Sequence, residues 1–241
     1  MSAKRILSIL IAGDVHGFFS GLQEAIAHWS PDLVLQCGDF GYRPDLDMFP
    51  PERGFRDKQG RLVPVHFCDG NHDDYKSLRR LANAKLKACE IAPGVFYQPR
   101  GSILEFPGGF TILFAGGAAG VDKDAQTRRN ASFPAEILSK EDFAVFPGLP
   151  SVDMVISHAA PACAVLPPAL FSTDCPDPSR AVLDRVLRRY QPGLWFCGHY
   201  HLPFSGGLDR CIFRALDCAV DEWDKPQQAG LMLFKGIPIQ V

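Results

Sequence analysis

Five short clusters of polar residues between positions 14 and 201 carry side chains of the types that bind metal ions. Each cluster contains glycine or serine and directly follows an apolar run. In chain order the clusters are Gly13-Asp14-Val15-His16-Gly17, Gly38-Asp39, Gly70-Asn71-His72-Asp73, Ser157-His158 and Gly198-His199-Tyr200-His201. Carboxylate and imidazole groups suit divalent first-row metals, and the clusters contain no thiolate of the kind used by structural zinc sites. The pattern therefore predicts a metal site assembled from distant segments.

The number of potential ligands indicates two ions rather than one. Seven ligands are too many for one catalytic ion that keeps an open position, whereas two ions sharing a bridging carboxylate would use them all. The predicted ligands are Asp14, His16, Asp39, Asn71, His158, His199 and His201. Any one of these histidines could be structural, but five clusters in this order favour a shared site. His28 and His66 lie outside the clusters and are interpreted as structural.

These clusters need a scaffold that brings strand ends together, and the first hundred residues predict one. Apolar runs predict strands at residues 6–12, 33–37 and 63–68. Apolar residues at helical spacing predict two helices, marked by Leu22, Ile26 and Trp29, then by Tyr75, Leu78 and Leu81. Ser20 and Gln23 have the spacing of a capping box at the start of the first helix. The alternation of strand and helix argues for a mostly parallel sheet, whose carboxyl strand ends meet at one edge.

The second half of the chain continues the alternation. Further strands are predicted at residues 102–106, 111–115, 152–156, 194–197, 211–216 and 231–234. Asp177 and Pro178 supply the cap and first turn of a helix with an apolar face. Residues 116–134 and 159–176 fit neither pattern and are interpreted as lids or mobile loops. One domain spanning residues 1–241 is the simplest account.

Composition and charge exclude several classes of function. Hydrophobic residues make up 46% and charged residues 22% of the chain, so a folded core is expected rather than disorder. The net charge of −2 gives no strong field toward nucleic acid or an anionic membrane. Residues 6–12 are interpreted as a buried strand rather than a signal peptide, and no segment is long enough to span a bilayer. The eight cysteines form no CxxC pair and indicate a reduced, cytoplasmic protein, with structural disulfides as the alternative. We expect no membrane partner and no obligatory protein partner.

The series GDVHG, GD, GNHD, SH, GHYH resembles the calcineurin-like metallophosphoesterase family, in its characteristic order, from Asp14 to His201. The resemblance implies an α/β fold, a four-layer α/β/β/α sandwich with two mixed central sheets flanked by helices. It also implies two divalent metal ions drawn from manganese, iron, zinc and nickel, with manganese the first expectation. One ion would be held by Asp14, His16, Asp39 and His201, and the other by Asp39, Asn71, His158 and His199, with Asp39 bridging.

The same resemblance implies hydrolysis of a phosphate ester. Two cations lower the pKa of a bound water, the resulting hydroxide attacks phosphorus in line, and the metals neutralise charge on the phosphoryl oxygens. His72 would be the catalytic residue that stabilises the transition state or protonates the leaving oxygen. The alternative for His72 is a hydrogen-bond donor that only supports the ligands.

Residues 38–43 depart from the serine/threonine protein phosphatases of this superfamily, which read GDxxDRG here. Arg43 stands where those enzymes have a phosphate-clamping arginine, so it is a candidate for substrate binding, the alternative being a surface arginine. Tyr42 replaces their aspartate, which weakens the protein-phosphatase interpretation. Residues 33–40 and 180–201 are similar to RNA lariat debranching enzymes, in which a cysteine takes the place of Asp14.

We therefore predict a phosphodiesterase, with a phosphomonoesterase acting on nucleotides, small molecules or phosphoproteins as the alternative. The expected partner is a phosphate-ester substrate, with nucleotides and nucleic-acid derivatives among the candidates. A second alternative is a scaffold of the same fold that binds partner proteins without catalysis, although such scaffolds lose residues that this chain keeps. Lys123, Arg128 and Arg129 predict either a solvated loop or a lid that grips the substrate.

Overall fold

The computed structural model describes residues 4–83, 86–120, 133–170, 177–220 and 225–240. Within these ranges the strands are β1 Lys4–Ala12, β2 Leu33–Gln36, β3 Val65–Phe67, β4 Cys89–Ala92, β5 Val95–Tyr97, β6 Ile103–Glu105, β7 Thr111–Ala115, β8 Met154–Ser157, β9 Leu194–Cys197, β10 Phe204–Leu208, β11 Cys211–Ala215 and β12 Leu231–Gln240. The helices there are α1 Phe19–Trp29, α2 Tyr75–Leu81, α3 Phe133–Glu136, α4 Lys140–Ala144 and α5 Pro178–Tyr190. Short 3-10 turns lie at Pro44–Leu46, Pro168–Leu170 and Gln228–Gly230.

The described strands form two six-stranded mixed sheets. Sheet I has the order β12-β1-β2-β3-β5-β4, and sheet II has the order β10-β11-β9-β8-β7-β6. In both sheets the inner strands run parallel, while the outermost strand on each side is antiparallel to its neighbour. Four parallel strands of each sheet therefore present their carboxyl ends at one edge, as the alternating sequence pattern predicted.

Strand β1 shows how the sequence specifies the layers. Leu7, Ile9 and Ile11 pack between the two sheets, against side chains of β7, β8 and β9. Leu10 and Ala12 point to the opposite face, where they pack with α1 and α2. A third apolar cluster lies between sheet II and α5. Three apolar interfaces separate four layers, so the predicted α/β/β/α sandwich is confirmed.

The helix ends agree with the sequence at α5 and differ at α1. Asp177 caps α5 by accepting a hydrogen bond from the backbone N–H of Ser179, with proline in the first turn, as predicted. The capping box predicted for α1 is wrong, because the helix begins after Phe18 without any side-chain cap. Gln23 instead exchanges hydrogen bonds with the backbone of Arg56, at 2.6 and 2.9 Å, and ties α1 to the long loop between β2 and β3.

Three strands have no counterpart among the predicted elements. Strands β4 and β5 form a hairpin around Pro93-Gly94, a dipeptide typical of turns. Strand β10 contains two glycines and pairs antiparallel with β11. All three are too short or too polar for an alternating pattern to be recognised. Strand β12 also extends six residues beyond the predicted end at residue 234. The complete strand β12 pairs along the whole length of β1.

The two segments predicted as lids are described only in part. Residues 121–132 and 171–176 lie outside the described residues, and so do Lys123, Arg128 and Arg129. Residues 160–164 are held by Arg180, whose guanidinium donates hydrogen bonds to four of their five backbone carbonyls. None of the described helices is both long and apolar enough to cross a membrane.

Candidate metal centre

The predicted ligands all follow strands at the common edge of the two sheets. Asp14 and His16 come after β1, Asp39 after β2 and Asn71 after β3 in sheet I, whereas His158 follows β8 and His199 and His201 follow β9 in sheet II. Contacts between the two sheets join these loops. The backbone N–H of His199 donates to both oxygens of the Asp14 carboxylate, at 3.0 and 3.2 Å. The structure therefore brings the five clusters together, and their role as ligands stays a prediction.

Asp14, His16 and His201 form an outer cluster near the surface. Asp14 is fully buried, and its Oδ2 lies 3.0 Å from Nε2 of His201 and 3.8 Å from Nε2 of His16. The two Nε2 atoms are themselves 3.0 Å apart. The hydrogen bond to Asp14 raises the pKa of His201 to about 11. A cation at this point would replace the proton that these groups share, and it would meet two ring nitrogens and one carboxylate oxygen.

His158, Asn71 and Asp39 form an inner cluster shielded from solvent. The Nδ1 atom of His158 lies 2.9 Å from the backbone oxygen of Cys37, which can only accept, so Nδ1 carries the proton. Its Nε2 atom then faces two oxygens, Oδ1 of Asn71 at 3.0 Å and Oδ2 of Asp39 at 3.4 Å. A metal ion could take the place of the Nε2 proton at this buried point, where it would meet one ring nitrogen and two oxygens.

Asp39 lies between the two clusters. Its Oδ2 is 3.4 Å from Nε2 of His158 and 4.0 Å from Nε2 of His16. Its Oδ1 accepts a hydrogen bond from the backbone N–H of His72 at 2.8 Å. One carboxylate that reaches both clusters is what two ions with a shared ligand need, so the residues present fit the pair of divalent metals.

Burial and neighbouring charges set the protonation of the buried ligands. Burial acts to raise the pKa of Asp39, but His158 and the other nearby imidazoles hold it well below its usual range. Burial alone would lower the pKa of His158, yet the adjacent Asp39 carboxylate raises it to about 10. Burial lowers the pKa of His199 to about 3, so this ring is neutral at pH 7, which is the form that binds a metal.

The ligand loops depend on an unusual backbone. Positive φ angles occur at four of the seven predicted ligands: His16, Asp39, His199 and His201, at 52°, 53°, 74° and 47°. Non-glycine residues are uncommon in this region, and such strain collects at functional sites. Gly198 and Gly70 allow the loops to approach closely, since a Cβ at either position would collide with Oδ1 of Asp14 or of Asp39, respectively.

His72 and Arg43 lie together beside the clusters. His72 is exposed, and its ring packs edge-on against His16 with centroids 5.2 Å apart. The guanidinium of Arg43 forms a two-pronged ion pair with Asp45, at 2.9 and 2.8 Å, and also lies 3.4 Å from the backbone oxygen of His72. Both line a cavity of about 310 Å³ that also includes Asn71 and Lys76. Arg43 is therefore held at the site instead of projecting freely into solvent.

Asp73 supports the site in a way that the sequence analysis missed. This buried carboxylate accepts hydrogen bonds from the backbone N–H groups of Phe40, Gly41, Tyr42 and Gly70, at 3.2, 2.7, 2.9 and 2.9 Å. It thereby joins the loop that carries Asp39 to the loop that carries Asn71. The sequence did indicate a role for Asp73, since this residue is the last of the Gly70-Asn71-His72-Asp73 cluster.

A thiol is the second feature that the sequence analysis missed. Cys218 follows β11, another parallel strand of sheet II, and its Sγ lies within 4.8 Å of ring nitrogens of His16 and His201. Its position two residues after a predicted strand was the available signal.

Comparison with known sequences decides the family. The sequence model of the calcineurin-like phosphoesterases matches residues 7–203, which include every residue of both clusters. The chain belongs to the calcineurin-like phosphoesterase family. This metallophosphoesterase is accordingly a phosphoric ester hydrolase that depends on divalent metal ions. No curated protein sequence matches it significantly.

One solved structure agrees with the fold of the metallophosphoesterase, and a second is reported as similar. The phosphopantetheinyl hydrolase of Mycobacterium tuberculosis has a TM-score of 0.50 at 16% identity, over 94% of this chain and 95% of that protein. A Staphylococcus aureus protein assigned as a 5′-nucleotidase has a TM-score of 0.46 at 12% identity, over 98% of this chain and 54% of that protein. At 16% identity the likeness to the first of these proteins concerns the fold alone. The predicted similarity to RNA lariat debranching enzymes stays a prediction.

Proposed function

We propose that this metallophosphoesterase hydrolyses phosphate diesters at a centre of two divalent ions. The outer ion would be held by Asp14, His16, Asp39 and His201, and the inner ion by Asp39, Asn71, His158 and His199. The observation that carries this proposal is the environment of His158, whose Nδ1 donates to a backbone carbonyl while its Nε2 faces two carbonyl or carboxylate oxygens. Manganese is the first expectation for the metal, with iron, zinc and nickel compatible with the same ligands.

The protein's own residues divide the remaining work. When bound, the two cations acidify water and offset negative charge on the phosphoryl oxygens. His72 is exposed on the wall of the cavity, where it can donate a proton to the leaving oxygen. Arg43 contributes a guanidinium already oriented by Asp45, so that it can contact a phosphoryl oxygen with little loss of side-chain entropy.

The preference for a diester rests on Tyr42. Protein phosphatases of the superfamily carry an aspartate at this position, whereas the Tyr42 side chain is buried beside Phe49 and offers no carboxylate to His72. Nucleotides and nucleic-acid derivatives are the substrate class we expect first. The free thiols among the described residues favour the reducing cytoplasm as the location. A phosphomonoesterase that uses the same metals is the alternative.

The test compares hydrolysis of bis-p-nitrophenyl phosphate and p-nitrophenyl phosphate by metal-stripped protein, with and without Mn²⁺. We expect metal-dependent turnover of the diester, abolished in Asp39→Asn and lowered about 10²- to 10⁴-fold in His72→Ala. His28→Ala is the matched control, because His28 is an exposed histidine on α1. Preference for the monoester would select the alternative. Metal binding without turnover of either compound would contradict the proposed reaction.

A further inference from the structure

The loop after β11 packs directly on the first ligand loop. The backbone N–H of Ala219 donates to the carbonyl of Asp14 at 2.7 Å. A Cβ on Gly13 would collide with the carbonyl oxygen of Asp217, so the two backbones touch at this point. The backbone N–H of Asp217 in turn donates to the carbonyl oxygen of Ala229 at 3.3 Å. Cys218, in the middle of this loop, is therefore fixed beside Asp14 from both directions.

The side chain of Cys218 reaches the outer cluster. Its Sγ and one ring nitrogen each of His16 and His201 all lie within 4.8 Å of one another. Cys218 is partly exposed, so ions and thiol reagents can reach it. The His16 and His201 nitrogens, 3.0 Å apart, place two further metal-binding atoms beside the sulfur.

We propose that Cys218 is an additional, sulfur ligand of the outer metal ion, and that it shifts the preference of that site toward soft ions. The inference rests on the proposed two-metal centre and adds a residue that is not in the ligand set of the family resemblance. A thiolate favours zinc, cobalt and cadmium over manganese, because sulfur is a softer donor than carboxylate oxygen or imidazole nitrogen. Binding releases the thiol proton to solvent, with no change in oxidation state.

Cobalt(II) offers a direct test on the whole metal-stripped protein. A thiolate bound to Co²⁺ gives a sulfur-to-cobalt charge-transfer band in the near ultraviolet, whereas oxygen and nitrogen ligands give only the weaker visible bands. We expect this band in the wild type and in Cys163→Ser, and its loss in Cys218→Ser and Cys218→Ala. Cys163 is the matched control because it is a free, exposed cysteine. Its backbone N–H donates a hydrogen bond to the side chain of Asp184.

Two further measurements make the outcome decisive. Cys218→Ser should weaken cadmium binding at least about tenfold relative to manganese binding. Bound metal should also slow alkylation of Cys218, followed by mass spectrometry, while Cys163 stays reactive.

Two bound Co²⁺ ions without a charge-transfer band would overturn the role of Cys218 and leave the two-metal centre standing. Failure to bind any Co²⁺ would overturn the two-metal centre and the sulfur ligand together. A band that disappears in Cys163→Ser would also overturn the assignment to Cys218.

Discussion

The Nε2 atoms of His16 and His201 lie 3.0 Å apart, although 185 positions separate these histidines in the chain. His16 follows β1 of sheet I, and His201 follows β9 of sheet II. Two imidazole acceptors stay this close only when a proton or a cation lies between them. The carboxylate of Asp14, 3.0 Å from His201, adds the negative charge that such a cation needs.

Removing the metals should therefore destabilise the protein. An ion that binds only the folded state stabilises it by mass action, by about 2.7 kcal/mol when its concentration is one hundred times its Kd. We expect Tm to rise when Mn²⁺ is returned to the stripped wild-type protein, and the metal content to approach two ions per chain. His201→Ala should lower that content toward one ion and show a smaller rise in Tm. The His28→Ala control should keep two ions and the full rise in Tm. If His201→Ala did the same, the result would contradict the outer site.

Arg43 should act on substrate binding rather than on metal binding. A hydrogen bond to a charged group contributes about 1.5–3 kcal/mol, so Arg43→Ala should raise KM for the diester about tenfold or more. Arg43→Lys should recover only part of this loss, because an ammonium cannot keep both contacts to Asp45. The measurement is steady-state kinetics with parallel metal analysis. Arg53→Ala, at an exposed site outside the cavity, is the control, and an unchanged KM in Arg43→Ala would remove Arg43 from the site.

Gly198→Ala should damage the metal centre without unfolding the protein. The new Cβ would collide with Oδ1 of Asp14, a buried carboxylate that must move or rotate to make room. Losing the contacts that orient a ligand typically costs about 10- to 100-fold in metal affinity, and a displaced Asp14 ligand should cost at least as much. Gly207→Ala is the matched control, since nothing lies within 4 Å of the corresponding Cβ. Equal Mn²⁺ affinities of the two variants by calorimetry would argue against close packing around Asp14.

Arg100 should be one of the most sensitive positions for stability. Its buried guanidinium donates to Oδ2 of Asp69 at 2.9 and 2.7 Å, and its Cζ lies 3.8 Å from the centre of the Tyr75 ring. It also donates to the backbone carbonyls of residues 135–137. Arg100→Met would leave the buried Asp69 carboxylate without its cation and should lower the free energy of unfolding by about 3–5 kcal/mol.

A double-mutant cycle in urea checks the origin of that loss. Asp69→Asn in the Arg100→Met background removes the unpaired charge, so the double variant should be less destabilised than the sum of the single variants. Strict additivity would mean that Arg100 stabilises the fold through Asp142 and the backbone carbonyls and not through Asp69.

His66 should make the protein less stable in acid. Its Nδ1 lies 2.7 Å from the Gln98 amide, its ring stacks on Phe96 at 4.8 Å, and burial lowers its pKa to about 4. The unfolded chain binds this proton near pH 6.5 and the folded chain only near pH 4, so stability falls as pH drops through that window. The loss reaches about 3 kcal/mol at most.

The matched comparison for His66 is the metal-free His66→Phe variant, which keeps the stacking on Phe96 but cannot titrate. Urea unfolding at several pH values between 7 and 4 should show a flatter decline than in the wild type. His28→Phe should keep the wild-type slope, because His28 lies on the surface. Parallel slopes for wild type and His66→Phe would mean that His66 is not the group responsible.

The sequence by itself determined the local structure and the order of the polar clusters. Strands β7 and β9 have their predicted bounds, and Asp177 caps α5 as predicted. These features are local, since an apolar run buried on both faces and a capping side chain are both defined by a few neighbouring residues. The placement of the clusters after parallel strands followed from the same alternation, because such strands deliver their carboxyl ends to one edge.

Only the tertiary structure decided which distant groups touch. Arg100 contacts Asp69, and Cys218 lies beside His16 and His201. No local sequence pattern predicts either contact, because each depends on how the two sheets stack and on the register of their strands. Gln23 shows the same limit, since its spacing fits a capping box while its side chain bonds to Arg56 of another loop. A hydrogen-bonding side chain takes whichever partner the packed fold brings within about 3 Å, and a local pattern does not contain that distance.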